Sequence, residues 1–140
     1  MKYRLLGNSG LRVAEAALGT ATFGEEWGWG SVKDEARQVY DAFRDAGGNF
    51  IDTANSYTKG TSESFLGEFM KDHRQRMVLA TKYSTAAQGT DPNASGNHRK
   101  NMMQAVEASL KAAANRLHRF VLGPHLGPDH AGRRGHARAG

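Results

Sequence analysis

Residues 49–57 read N-F-I-D-T-A-N-S-Y, and this stretch decides the fold. A short apolar pair, Phe50 and Ile51, leads directly into the carboxylate of Asp52, and the phenol of Tyr57 follows five residues later. Further along, a second apolar run over residues 77–81 ends at Lys82. Short apolar runs bounded by polar and small residues predict buried strands. We therefore expect an acid, a phenol and an amine near the ends of neighbouring strands.

Stretches with apolar residues at helical spacing lie before, between and after these two strands in the sequence. Ser31 and Asp34 form a variant capping box, which predicts the start of a helix that ends at the glycines of residues 47–48. A second helix is predicted from residues 61–63, and a third over about residues 97–110 or beyond. Strands that alternate with helices predict a parallel sheet with right-handed crossovers. A barrel and an open doubly wound sheet both satisfy this pattern, and both gather chemistry at the carboxyl ends of the strands.

The N-terminal part adds a hairpin, a strand and an aromatic loop. Residues 3–13 predict a β-hairpin, and residues 16–20 predict a strand that ends in Gly19 and Thr20. The loop over residues 22–30 contains Phe23 and both tryptophans, so it either lines a pocket or covers one end of a barrel. No G-x-G-x-x-G motif follows the first strand, which argues against a Rossmann dinucleotide site.

Composition places the chain among single globular domains. It has 140 residues, 39% of them hydrophobic, and no cysteine. No apolar run reaches the length of about 18 residues that a membrane span needs, and the N-terminus lacks the apolar core of a signal peptide. The absence of cysteine excludes disulfides and thiolate chemistry. These features predict a cytoplasmic protein with no membrane partner.

The net charge of +5 is confined to the C-terminal segment. Residues 1–110 hold 13 basic and 13 acidic side chains, whereas residues 111–140 hold 6 basic side chains against 1 acidic side chain. Such a tail could bind nucleic acid, and its histidines could suggest a metal site. Their spacing matches no structural zinc pattern, and no cysteine joins them. The abrupt change of composition instead favours a disordered basic tail, with neither a metal nor a nucleic-acid partner.

The three polar groups suit proton transfer to a carbonyl oxygen. A phenol is a weak acid with an ordinary pKa of about 10, and a neighbouring ammonium favours its ionised form. A carboxylate beside that ammonium keeps the amine charged and oriented. Asp52, Tyr57 and Lys82 could therefore assist a reaction in which a carbonyl receives a hydride. From spacing alone, a structural reading remains open, because a lysine at a strand end is often simply solvated.

Five stretches of the sequence, taken together and in order, resemble the aldo/keto reductase family. They are Y-R-L-L-G-N-S-G-L-R-V, A-L-G-T-A-T-F-G, G-G-N-F-I-D-T-A-N-S-Y, G-T-S-E-S-F-L-G-E-F and V-L-A-T-K. They look closest to its bacterial, aryl-alcohol-dehydrogenase-like branch. The resemblance implies a TIM barrel, of which residues 1–110 supply the N-terminal hairpin and about three βα units.

The resemblance also implies roles for individual residues. Asp52, Tyr57 and Lys82 match three members of the family's catalytic tetrad, with Tyr57 as general acid, Lys82 tuning it and Asp52 holding Lys82. The implied reaction is NADPH-dependent reduction of aldehydes or ketones to alcohols. The resemblance puts the cofactor beside Gly19, Thr20 and Asp52, and the carbonyl substrate beside Phe23 and Tyr57.

The match breaks after residue 110. The family's fourth member is a histidine that ends a strand in a segment like T-D-Y-I-D-L-Y-x-V-H-x-W-D, whereas this chain reads N-R-L-H-R-F-V-L-G-P-H. His125 lies near the expected place, but the preceding Gly123 and Pro124 argue against a buried strand. When this segment is translated back into codons and the reading frame is moved by one base, codon choices exist that encode the family pattern. The hypothesis is that an insertion or deletion near Lys111 puts residues 111–140 out of frame.

The resulting expectation is a truncated and inactive copy of a reductase. A partial barrel leaves an open sheet edge, so we expect poor folding, aggregation or self-association through that edge. The alternative is a non-catalytic fragment, or an interaction module with a basic tail. The sequence does not indicate which carbonyl compound is the substrate.

Overall fold

The computed structural model describes residues 1–85 and 91–113, together with the backbone of residues 120–124. None of the helices within these ranges is long and apolar enough to cross a membrane. Two single turns of 3-10 helix, Tyr57–Gly60 and Arg74–Arg76, precede α2 and β5. The elements in chain order are β1 (Tyr3–Leu5), β2 (Arg12–Ala14), β3 (Leu18–Gly19), α1 (Lys33–Asp45), β4 (Phe50–Asp52), α2 (Thr61–Phe69), β5 (Val78–Tyr83), α3 (Arg99–Ala112) and β6 (Phe120–Pro124).

The strands form a small hairpin and a four-stranded parallel sheet. β1 and β2 pair antiparallel, which confirms the predicted hairpin. The parallel sheet has the order β3-β4-β5-β6, so strands that follow one another in sequence are also neighbours in space. In its register, Gly19 lies opposite Asp52, and Asp52 lies opposite Ala80. The alternation of strands and helices predicted from the sequence therefore gives four adjacent parallel strands. Their carboxyl ends lie at the same end of the sheet.

The main core lies between the helices and one face of this sheet. Ile51 of β4 and Leu79 of β5 are fully buried there, against Tyr40 of α1 and Leu66 and Phe69 of α2. Successive side chains of a strand point to opposite faces. Because Ile51 and Leu79 face the helices, Asp52 and Lys82 point to the opposite face of the sheet.

The start of α1 differs from the prediction. The helix begins at Lys33 with Val32 at the N-cap and no capping side chain, so Ser31 and Asp34 do not form a capping box. The reason is that Ser31 takes part in a β-bridge with Phe23, in which the Ser31 N–H donates to the Thr22 carbonyl at 2.7 Å. The predicted end of the helix is confirmed, because Gly47 adopts a φ of +85° directly after the last turn.

The structure describes parts of the segment over residues 111–140, at the end of α3 and in β6. α3 continues to Ala112, two residues into this segment, and β6 pairs in parallel with β5 up to Pro124. Pro124 is the last residue of a strand at the edge of the described sheet, where a missing N–H disturbs the ladder least. Gly123 and Pro124 therefore lie in a strand, at a place where the sequence argued against a buried one. His125 and the rest of the predicted tail lie outside the described residues.

Candidate active site

The Lys82 ammonium is the centre of the polar cluster at the carboxyl ends of the strands. Its Nζ donates to both carboxylate oxygens of Asp52 at 2.7 Å each and to the Thr53 carbonyl at 3.0 Å. The Tyr57 hydroxyl lies 3.4 Å from the same Nζ, which is longer than an ordinary hydrogen bond, and the tyrosine ring centroid lies 5.2 Å away. The structure thus brings together the three residues that the sequence singled out.

Strand register explains this meeting. Asp52 lies opposite Ala80, so Lys82 is two residues further towards the carboxyl end of β5. Two residues of strand span about 6.6 Å, and a lysine side chain is long enough to reach back over that distance. The Asp52 and Lys82 side chains are 40% and 25% exposed, so solvent and a ligand can reach the pair.

Tyr57 is held by a strained turn. The next two residues, Thr58 and Lys59, have φ values of +46° and +56°, a left-handed conformation that costs a non-glycine residue about 1–3 kcal/mol. Thr58 is fully buried and its hydroxyl donates to the Phe23 carbonyl at 2.5 Å. A Cβ on Gly24 would lie only 2.9 Å from Thr58. Close packing between the turn at Thr58 and the loop that contains Phe23 and Gly24 therefore offsets the strain and fixes the direction of Tyr57.

An aromatic wall stands beside the phenol. Trp27 meets the Tyr57 ring edge to face, with ring centroids 6.2 Å apart and an interplanar angle of 83°. Trp29 stacks on Trp27 at 5.6 Å, and the two tryptophans are 57% and 40% exposed, respectively. They are the two tryptophans of the whole sequence. Tryptophan fluorescence therefore reports on the surroundings of Tyr57.

The other predicted site residues fall into different environments. Gly19 is exposed opposite Asp52, and a Cβ added there would meet nothing within 4 Å, so open space adjoins the carboxylate. Thr20 is fully buried and its hydroxyl donates to the Asp52 carbonyl at 3.2 Å, so its side chain supports the site from behind. The prediction that Phe23 lines the substrate pocket needs correction, because its ring is 2% exposed and packs edge-on against Phe69 in the core.

Sequence reasoning missed three polar residues around this site. Thr53 accepts from Lys82 through its backbone carbonyl, which no sequence pattern indicates. Ser62 and Glu63 begin α2 and are buried, at 0% and 3% exposure. Burial raises the pKa of Glu63, and the hydrogen bond from Thr81 opposes that rise. One signal was present, since both residues lie at helical spacing from the buried Leu66 of the same helix.

The cluster is suited to proton donation and has no described metal. Within residues 1–85 and 91–113, no three histidine, aspartate or glutamate side chains are placed to bind a metal ion. The open space at Gly19, which pairs with Asp52 in the sheet, could hold a flat group of a cofactor. A cavity of about 500 Å³ lies at the opposite end of the sheet, lined in part by Asn49 and Met77, and so does not adjoin the cluster.

Comparison with known proteins places these residues in a family context. The model of the Aldo/keto reductase family matches residues 16–115. Aldo-keto reductase ausK of Emericella nidulans is 40% identical over 122 residues, which cover 79% of this chain and 31% of that protein. Norsolorinic acid reductase stcV of the same fungus is 44% identical over 112 residues, covering 73% and 29%. The chain spans less than a third of the length of these two relatives.

A solved structure gives the same result for the fold. The holo form of an aldo-keto reductase from Bacillus halodurans superposes with a TM-score of 0.70 at 28% identity, covering 87% of this chain and 40% of that one. The described strands and helices therefore have the arrangement of part of a TIM barrel, as the sequence predicted. Asp52, Tyr57 and Lys82 all lie inside the range that the family model matches.

Proposed function

This chain belongs to the aldo/keto reductase family, and on that premise we propose that Asp52, Tyr57 and Lys82 form the proton-donating part of a carbonyl-reducing site. The reaction would convert aldehydes or ketones to alcohols with NADPH. One observation carries the proposal: the Lys82 ammonium lies between the Asp52 carboxylate at 2.7 Å and the Tyr57 hydroxyl at 3.4 Å. That arrangement places an oriented amine beside a half-buried phenol.

Each residue has a separate task in this reaction. NADPH, when bound, supplies the hydride to the carbonyl carbon. The Tyr57 hydroxyl donates its proton to the carbonyl oxygen as negative charge develops there, so the products are an alcohol and a phenolate. The Lys82 ammonium stabilises that phenolate, and the two hydrogen bonds to Asp52 orient the ammonium. The phenolate then regains a proton from solvent.

The cofactor would lie against Gly19 and Asp52. A residue without a side chain leaves space for a flat ring next to the carboxylate, and Thr20 stabilises the backbone on which both stand. Trp27 extends the site beside Tyr57, where a substrate would enter. The choice of NADPH over NADH and a cytoplasmic location both remain predictions from the family resemblance.

We further propose that the 140-residue chain does not complete the reaction by itself. A TIM barrel closes with eight strands, and the described sheet has four. The histidine that the resemblance implies as a fourth catalytic group would be His125 or a residue outside this reading frame. Sequencing the gene across codons 105–120 tests the frameshift hypothesis. An uninterrupted frame, with no family-like continuation in the alternative frame, would refute it.

Cofactor binding by the purified chain tests the proposed site. Because Trp27 packs against Tyr57 and Trp29 packs against Trp27, NADPH bound at Gly19 and Asp52 should quench tryptophan emission with saturation. Gly19→Leu should abolish the quenching by filling the open space, since no neighbouring atom opposes a side chain there. Gly10→Leu in the hairpin turn is the matched control, because it is equally unhindered and remote from the site. Equal quenching in all three proteins would contradict the proposed cofactor position.

A second candidate function is a non-catalytic interaction module. Within the described part of the chain, β3 and β6 each pair with one strand, which leaves two parallel edges open. Exposed edges accept further strands. An interaction module would self-associate or bind a partner without the saturable NADPH quenching described above.

A further inference from the structure

The first turn of α2 buries polar side chains where an amphipathic helix would bury apolar ones. Ser62 is completely buried and Glu63 is 3% exposed, whereas the neighbouring Ser64 is exposed. Burying a hydroxyl or carboxyl group is costly unless its hydrogen bonds are satisfied. What these two side chains contact therefore explains their presence.

Ser62 joins the ends of two strands. Its hydroxyl lies 2.9 Å from the Thr20 carbonyl and 2.8 Å from the Thr20 hydroxyl, at the end of β3. The Thr53 hydroxyl, just after β4, lies 3.1 Å from the same oxygen. Thr20 in turn donates to the Asp52 carbonyl through its N–H at 3.1 Å and its hydroxyl at 3.2 Å. One side chain thus links the residues that flank Asp52 in space and in sequence.

The same links lead to Lys82. The Thr53 carbonyl accepts from Lys82 Nζ at 3.0 Å, so a shift of Thr53 moves one of the ammonium's acceptors. From the side of β5, the hydroxyl of Thr81, the residue before Lys82, donates to Glu63 at 2.7 Å. The first turn of α2 therefore contacts the ends of β3, β4 and β5 together.

We propose that Ser62 is a positioning residue for the Asp52–Lys82 pair. It fixes the position of the carboxyl end of β3 relative to that of β4. The Asp52 carboxylate and the Thr53 carbonyl can then bind the lysine ammonium at the same time. Glu63 performs the matching task for β5 through Thr81. The catalytic meaning of this role rests on the proposed function, whereas the geometric role does not.

The reactivity of the Lys82 amine measures this geometry directly. The full chain, at submicromolar concentration, is treated briefly with an amine-reactive ester, and mass spectrometry gives the labelling rate of Lys82 relative to Lys33. Lys33 is paired on the outer surface with Glu68, away from the site. Ser62→Ala should raise the Lys82 to Lys33 ratio about three- to tenfold, the effect of losing about one net hydrogen bond.

Two controls separate positioning from general loosening. Ser64→Ala removes a hydroxyl from the same helix turn at an exposed position and should leave the ratio unchanged. Peroxide oxidation reports folding in the same samples, because Met77 is 1% exposed and Met103 is 41% exposed. A folded variant keeps Met77 protected. If Ser62→Ala exposes Met77, Thr53→Val decides instead, since it removes only the threonine hydroxyl that contacts Ser62.

The outcomes are distinct from those of the cofactor experiment. A raised labelling ratio with Met77 still protected supports the positioning role, whether or not NADPH binds. An unchanged ratio in Ser62→Ala, or in Thr53→Val where that variant decides, overturns it. A raised ratio together with an absence of NADPH quenching would keep the geometry and refute the proposed function.

Discussion

At the residue scale, the Asp52–Lys82 ion pair contributes little to stability. Its side chains are 40% and 25% exposed, and ion pairs with that access to water contribute about 0–1 kcal/mol to the free energy of unfolding. The ammonium nevertheless has acceptors from Asp52 and Thr53 and a phenol nearby. Stability alone therefore does not explain this cluster, and the proposed proton-donating role does.

Glu63 gives the protein a predictable pH dependence. Burial raises its pKa above the ordinary value of 4.5, so the folded state binds the proton more tightly than the unfolded state. The free energy of unfolding therefore falls as pH rises from 4.5 through the folded-state pKa. Glu63→Gln keeps an acceptor for Thr81 and removes the charge. It should be more stable than the original protein near neutral pH, and the difference should shrink as the pH approaches 4.5.

Urea unfolding at about pH 5 and about pH 8 measures that difference. Glu107→Gln, at an exposed position of α3, is the matched control and should change little at either pH. A stability difference for Glu63→Gln that is the same at both pH values would contradict a raised carboxyl pKa.

Individual site residues differed in how far sequence could predict them. Asp52 and Lys82 were predictable because each ends an apolar run, and parallel strands bring such positions together. Tyr57 was singled out because it follows Asp52 by five residues. Ser62 was harder to recognise, since its role depends on contacts with strand ends distant in the sequence. Phe23 was misjudged because a loop aromatic can turn towards the core, where burying its ring against Phe69 is favourable.

At the element scale, close approach between α2 and α3 depends on a glycine. A Cβ on Gly67 would lie 2.5 Å from the Ala112 carbonyl oxygen and 3.0 Å from Ala113 Cα. Alanine within a helix is ordinarily favoured over glycine by about 1 kcal/mol. Here the clash is with backbone, which cannot rotate away, and overpacking of this kind costs about 1–3 kcal/mol.

Gly67→Ala should therefore lower the free energy of unfolding by up to about 2 kcal/mol, because helix propensity offsets about 1 kcal/mol of the overpacking cost. Chemical denaturation measures the change. Gly10→Ala, where nothing lies within 4 Å of the added carbon, should stay within about 0.5 kcal/mol of the original protein. A stabilised Gly67→Ala protein would show that the two helices do not pack as described.

Elements were predictable where local pattern and tertiary contacts agree. The hairpin, β4, α2 and the end of α1 follow from alternation, helical spacing and glycine. The start of α1 was not, because Ser31 is held in a bridge to Phe23 and cannot cap the helix. β6 was also missed, since glycine and proline disfavour a strand locally while pairing with β5 supports it.

At the scale of the whole molecule, two open sheet edges should drive association. Within the described part of the chain, β3 and β6 have unpaired sides, and exposed parallel edges pair readily with other strands. Sedimentation velocity of the purified chain should show an average mass that rises with protein concentration. A single monomeric species over the whole micromolar range would contradict this expectation and favour edges that are covered.

The most direct measurement uses a completed barrel. In a hybrid enzyme, residues 1–113 of this chain would replace the matching segment of aldo-keto reductase ausK from Emericella nidulans. The oxidation of NADPH would be followed in the presence of an aromatic aldehyde. We predict that this hybrid enzyme turns over the aldehyde. Tyr57→Phe should lower its kcat about a hundredfold or more, because the proton donor is lost. Tyr3→Phe is the control, because the Tyr3 hydroxyl donates to the Gly47 carbonyl away from the site, and it should leave kcat unchanged. Equal turnover with and without the Tyr57 hydroxyl would contradict the assignment of this chain's proton-donating site.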